Sequence, residues 1–155
     1  LAVGLPDAQI MGVGRIVRHQ VLTEGRYNIV LEGMERVRLD EELSSRNGYR
    51  RFRATTLETT DADRLEVARS LEVIRACLPQ LALRWPEATE ALAVLLGEFS
   101  GVDKLTDQVA SAVFAKPGKR QGLLEDLSAS SRLEQVVERI LELVHASSPQ
   151  FLETH

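Results

Sequence analysis

Gly12, Gly14 and Arg15, in the stretch IMGVGRIVRH, are the first residues whose types and spacing match a chemistry, that of holding phosphate. A P-loop needs Gly-x-x-x-x-Gly-Lys-Ser/Thr, so that backbone N–H groups and a lysine meet the phosphate oxygens. Here Gly14 runs into Arg15 and then IVRH, a strand pattern. A dinucleotide site would also need a third glycine and a helix N-terminus for the pyrophosphate. The pair therefore reads as a bulge or a close backbone approach at the start of a strand. The other Gly-Lys, Gly118-Lys119, has Arg120 where the loop needs Ser or Thr. No cofactor is expected.

Nucleophilic and metal chemistry find no constellation either. His19, His145 and His155 are scattered along the chain, and no nucleophile elbow is present. Cys77 falls on the apolar face of an expected helix, where a buried, inert thiol is expected. One cysteine and three separated histidines do not supply a metal site, and the acidic run from Asp40 to Glu42 reads as a solvated turn. Arg46, Arg50, Arg51 and Arg53 form the strongest charge feature. Arginines there suit phosphate or an acidic peptide; as alternate residues of a strand they read as its wet face, answered across strands by Glu32, Glu35 or Glu41. The chain is expected not to be an enzyme.

The elements that carry these residues follow from composition and period. The chain has 155 residues, 44% hydrophobic and 27% charged, with a net charge of −4, the profile of an ordinary soluble protein. That charge offers no general attraction to nucleic acid. No apolar run reaches the ~18 residues of a membrane span, and the opening residues do not read as a signal peptide. The lone cysteine makes a reducing compartment, the cytoplasm, the default. Because the first residue is Leu1, the natural N-terminus is expected to lie upstream. Residues 1–58 hold nine arginines and no lysine against eight acids, whereas 59–155 hold ten bases against fifteen acids.

Residues 1–58 read as short strands. RYNIVLEG alternates with Tyr27, Ile29 and Leu31 on one face, Gly33 interrupts it, and MERVRLDEEL resumes with Val37 and Leu39 inward. Asn47-Gly48 signals a turn before a strand with Phe52, Ala54 and Thr56 on one side. Residues 59–145 read as helices. One begins at Asp61, with Leu65, Ala68, Leu71, Ile74 and Leu78 on its stripe, and stops at Pro79. A second starts at Pro86, and a third is capped at Ser100 or Asp103. The last carries a capping box at Ser131 and Glu134 and an apolar face from Leu133 to Val144. The expected architecture is α+β: a small N-terminal β pseudo-barrel lobe (1–58), an α-helical bundle lobe (59–145), and a tail (146–155).

With these elements in order, the stretch GVGRIVRHQVLTEGRYNIVLEGMERVRLDEEL followed by YRRFRATTLE resembles the LON substrate-binding domain, the N-terminal domain of Lon proteases. The resemblance rests on Gly12, Gly14 and Ile16, then Gly33 and Arg36, then Tyr49. In the helical half it rests on Gln121, Leu123, Leu124, Glu125, Arg132 and Leu133, the first four in a turn. It covers about Ile10 to Val144. The family's opening apolar strand and its Pro-rich segment do not precede Gly12 here, and the link at Gln9 looks short. Within these 155 residues no ATPase or Ser-Lys protease module is read.

The resemblance implies substrate recognition without degradation, by a stand-alone domain or by part of a larger protein. The expected partners are unfolded or partly folded protein segments, without nucleic acid or membrane. Strand edges and apolar patches would accept an extended chain. Met34, in a loop between strands, Tyr49, at a strand start, and Trp85 are the candidate contacts. The alternative is a structural, oligomerisation or adaptor role, through self-association or docking on a protease.

Overall fold

The computed structural model describes residues 1–45, 48–60, 62–97 and 101–147. Arg46, Asn47, Asp61, Ser100 and the tail from Ser148 on, each invoked above, lie outside the described residues. Contacts divide the chain into two compact units. The first holds Leu1–Glu58 with Gln121–Leu127; the second holds Thr59–Arg120 and residues from Ser128 on.

The first unit is an antiparallel sheet of four strands, β1 (Ala2–Val3), β2 (Ile10–Val21), β3 (Tyr27–Leu43) and β4 (Arg51–Leu57), hydrogen-bonded in sequence order. The expected barrel does not close: β1 and β4 are the two edges, and no β1–β4 ladder exists among the described residues. With only two residues, β1 is too short to line a second partner. The expected break at Gly33 is also absent. β3 is one strand of 17 residues, and the irregularity is taken up by bulges. Val13 pairs with Glu35 and Gly14 with Gly33, which leaves Met34 as the extra residue. Val17 and Asp40 are the extra residues at two further register shifts. Met34 therefore lies inside a strand and not in a loop.

A tight turn joins β2 to β3. Glu24 and Gly25 both have positive φ, 62° and 70°, the left-handed backbone that matches the twist of the flanking strands. The Leu22 N–H closes the turn by donating to the Arg26 carbonyl at 2.8 Å.

The second unit is helical: α1 (Arg64–Ala82), α2 (Pro86–Gly97), α3 (Val102–Val113), the first turn of α4 (Pro117–Glu125) and α5 (Ala129–Ser147). α1 packs on α2 and α5, and α3 on α2 and α5. Ile74, Val109, Val136 and Ile140 are almost wholly removed from water at the centre. α1 begins later than the periodicity predicts. Asp63 caps it, its carboxylate accepting from the N–H groups of Leu65 and Glu66 at 2.9 and 3.0 Å. Its buried stripe is Val67, Leu71, Ile74, Cys77 and Leu81, with Leu65 left in solvent.

α1 also continues through Pro79, because the next inward residue, Leu81, is buried. The cap of α5 is Ser128, whose hydroxyl accepts from the Ser131 N–H at 3.2 Å, and not the Ser131–Glu134 box. Gln121–Glu125 form helix rather than a turn. They belong with the strands, where composition had grouped them with the helices.

Candidate functional site

Along the sheet, the ladder between β2 and β3 outruns its neighbours. β1 pairs only with Gly12 and Val13, and β4 meets β3 only from Arg36 to Leu43. From Arg15 to Val21 and Tyr27 to Glu32, the two strands form a ribbon with no third strand paired beside it among the described residues. Register pairs Ile16 with Leu31, His19 with Ile29 and Val21 with Tyr27. Side chains alternate along a strand, so these six share one face.

That face is apolar and open to water. Val21 is 63% exposed, Tyr27 59% and Ile16 50%; the His19 and Tyr27 rings are neighbours, tilted to one another, with centroids 6.5 Å apart. The opposite face carries Arg15 with Glu32, Arg18 with Val30 and Gln20 with Asn28, and Arg15 and Glu32 form an ion pair at 2.6 Å. An amphipathic ribbon with its apolar side uncovered is unusual for a two-stranded element in water.

At its base the same face is closed by the segment 121–127. Arg36 is buried, and its Nε donates to the Leu124 carbonyl at 3.1 Å. The Leu124 side chain reaches within 3.6 Å of where a Gly12 Cβ would stand. Gly14 is tighter: a Cβ there would lie 3.2 Å from Leu31 Cβ and 3.3 Å from the Glu32 carbonyl. Thus Gly12 and Gly14 lie inside β2, register-paired with β3, and no helix begins after them.

Gln121, nearly buried, ties the chain before β2. Its Oε1 accepts from the Leu5 N–H at 3.0 Å, and its Nε2 donates to the Ile10 carbonyl at 2.9 Å and to Glu125 at 2.8 Å.

On the other side of the sheet lies a groove of about 310 Å³, with Met11, Leu39 and Phe52 as its apolar part and Asp7, Asp40, Glu42 and Arg50 around it. Glu42 holds Arg50 in a two-bonded pair, both at 2.9 Å. The guanidinium lowers the Glu42 carboxyl below its usual range, and the carboxylate in turn raises Arg50. The Thr55 hydroxyl, then Arg38, lowers Asp40. The arginine group is thus largely answered across strands: Arg53 pairs with Glu41 at 3.0 Å, while Arg50 also stacks over Phe52. Of the predicted partners, Glu32 answers Arg15 and Glu35 accepts from Thr56 instead.

His19 is on β2 and His145 at the end of α5, in different units, and His155 is outside the described residues. Cys77 is buried in α1, and burial raises its thiol pKa. Among the described residues no group of three His, Cys, Asp or Glu side chains converges for a metal ion. No described helix is long and apolar enough to cross a membrane.

The three predicted contact residues are all exposed. Met34 and Tyr49 lie beyond opposite ends of the β3–β4 ladder. Trp85 belongs to the second unit, with the Arg84 guanidinium 5.1 Å over its ring. Sequence reasoning had missed the ribbon as a surface. Its signal was present in the alternating apolar residues of both strands, but nothing in the sequence showed that no third strand would cover them.

A family model described as the ATP-dependent protease La (LON) substrate-binding domain matches residues 9–142. Among solved structures, the N-terminal domain of Mycobacterium avium complex Lon protease superposes with a TM-score of 0.72 at 17% identity, over 91% of this chain and 76% of that one. A Lon N-terminal domain protein from Xanthomonas campestris gives 0.56 at 20% identity, over 84% and 68%. At these identities the likeness is one of fold. A comparison with curated proteins gave no match.

Proposed function

The chain belongs to the family of the ATP-dependent protease La (LON) substrate-binding domain, and from that premise we propose that it is a non-catalytic module that holds unfolded or partly folded protein segments on the apolar face of the β2–β3 ribbon. The observation that carries this reading is the exposure of Ile16, Val21, Tyr27 and Ile29 on one face of an element that needs cover. Apolar contact of this kind is non-directional and tolerates many sequences. The strand edges beside the ribbon add backbone donors and acceptors for an extended chain. Met34 stands at the bulge near the ribbon's base, and a flexible thioether suits a surface that must repack around different partners. Tyr49, beyond one end of the β3–β4 ladder, and Trp85, in the second unit, are secondary candidates.

The test is binding of a permanently unfolded, fluorescently labelled protein to the wild type and to a Val21→Thr/Ile29→Thr double variant. The variant keeps β-branched residues at exposed positions, so its melting temperature should stay with that of the wild type. Its affinity should fall roughly tenfold, from the lost apolar area. Equal affinity in both proteins would remove the ribbon from the reading. Sedimentation of the same pair checks the second use of this face: a wild-type dimer that the double variant dissociates would assign the ribbon to self-association.

A further inference from the structure

The groove beside the chain segment from Leu5 to Gln9 is a second built feature of the sheet, distinct from the ribbon face. We propose that it receives one large apolar side chain of an extended protein segment that carries a lysine or arginine within two residues of that side chain. The inference rests on the protein-binding reading above and specifies its substrate class.

Three observations carry it. The apolar part of the groove is made by Met11, Leu39 and Phe52, each half-buried, beside Pro6 and Ala8. A volume of about 310 Å³ is at the small end of ligand sites.

The wall is held in place before anything binds. The Ala8 N–H donates to the Leu5 carbonyl at 3.1 Å, the Leu39 N–H to the Gln9 carbonyl at 2.8 Å, and Gln121 grips both Leu5 and Ile10. A pre-formed wall lowers the ordering cost of binding. Gly4 makes the grip possible, since a Cβ there would lie 3.1 Å from the Met11 side chain and 3.2 Å from Gln121 Oε1.

The rim has a sign. Glu42 is answered by Arg50 and Asp40 by Arg38. Asp7 has no hydrogen bond or ion pair among the described residues, although its charge reaches Arg50. With those two carboxylates neutralised, a cation carried beside the inserted side chain is attracted by the Asp7 carboxylate, whereas an anion there is repelled by it.

The experiment uses one extended peptide with a central leucine, made with lysine, serine or glutamate two residues away, titrated into the 15N-labelled protein. Expected are amide shifts at Ala8, Met11 and Phe52 and a preference for lysine over glutamate of roughly two- to fivefold at low salt, shrinking as salt rises. Asp7→Lys, at an exposed position, should cancel or reverse that preference, and Phe52→Ala should weaken all three peptides. The shift map needs no variant, so a misfolded Phe52→Ala protein does not remove the test. Binding with equal affinity for lysine and glutamate peptides, or with shifts confined to Ile16–Leu31, overturns the groove while the protein-binding reading stands. If neither peptide nor unfolded protein binds, that reading itself falls, and the groove with it.

Discussion

Arg132 is the only charged side chain with no exposed surface in the helical core among the described residues. It reaches from α5 to α3, where its Nη2 donates to Asp103 Oδ1 and Asp107 lies 3.4 Å from its Nε. A buried guanidinium is tolerable only when it is paired in this way, because the cost of taking the charge out of water is several kcal/mol. Both aspartates keep about half their side-chain surface in solvent, so they lose less hydration than the arginine does. Arg132→Ala removes the pair and leaves a cavity beneath α3. It should lower unfolding stability by about 2–5 kcal/mol, mainly from the lost packing volume, read from urea denaturation. Asp103→Asn, which leaves Asp107 in place, should cost clearly less. The identity of Arg132 was visible in the sequence as part of the family pattern. Its burial was not, since an arginine beside Leu133 in an amphipathic helix reads equally well as a solvated neighbour.

At the scale of elements, α1 shows how packing overrides local chemistry. Pro79 lacks the N–H that would bond to the Arg75 carbonyl, and its ring crowds the preceding turn. The helix nevertheless runs to Ala82, because Cys77 and Leu81 are both buried on the inner stripe. Pro79 itself points outward. Pro79→Ala restores the missing donor on the exposed side and should raise stability by about 1–3 kcal/mol; an unchanged denaturation midpoint would contradict this. The β2–β3 ribbon shows the converse. Its alternation and its turn were legible, and they define a hairpin. The continuous β3 was not legible, because Gly33 and Met34 read as a break when their bulge geometry depends on the opposite strand.

For the whole molecule, charge sets the acid limit. Asp40 and Glu42 titrate below their ordinary range in the fold, through the Thr55 hydrogen bond and the Arg50 pair respectively. A carboxyl with a lowered folded pKa contributes stability above its unfolded pKa and loses it as pH falls through the folded value. The window therefore lies below about pH 4.5. Both groups are exposed, so the contribution is modest and salt-sensitive. The melting temperature should fall on acidification from about pH 5 to pH 3, and an Asp40→Asn/Glu42→Gln variant should fall less over the same interval. Equal slopes would show that other carboxylates carry the acid limb.

The sequence by itself determined the class of each half, since alternation with period two and apolar recurrence at three and four residues are local signals that the backbone must obey. It also carried the LON pattern, and its spacing argued against a phosphate loop at Gly12 and Gly14. Tertiary structure decided what those local signals could not: that the sheet stays open at β1 and β4, that residues 121–127 brace the strands, and that the ribbon's apolar face is left exposed among the described residues. Each depends on contacts between residues far apart in the chain, such as Gln121 with Leu5 or Leu124 with Arg36. Such pairings leave no period in the sequence, because either partner alone satisfies its own helix or strand equally well facing water.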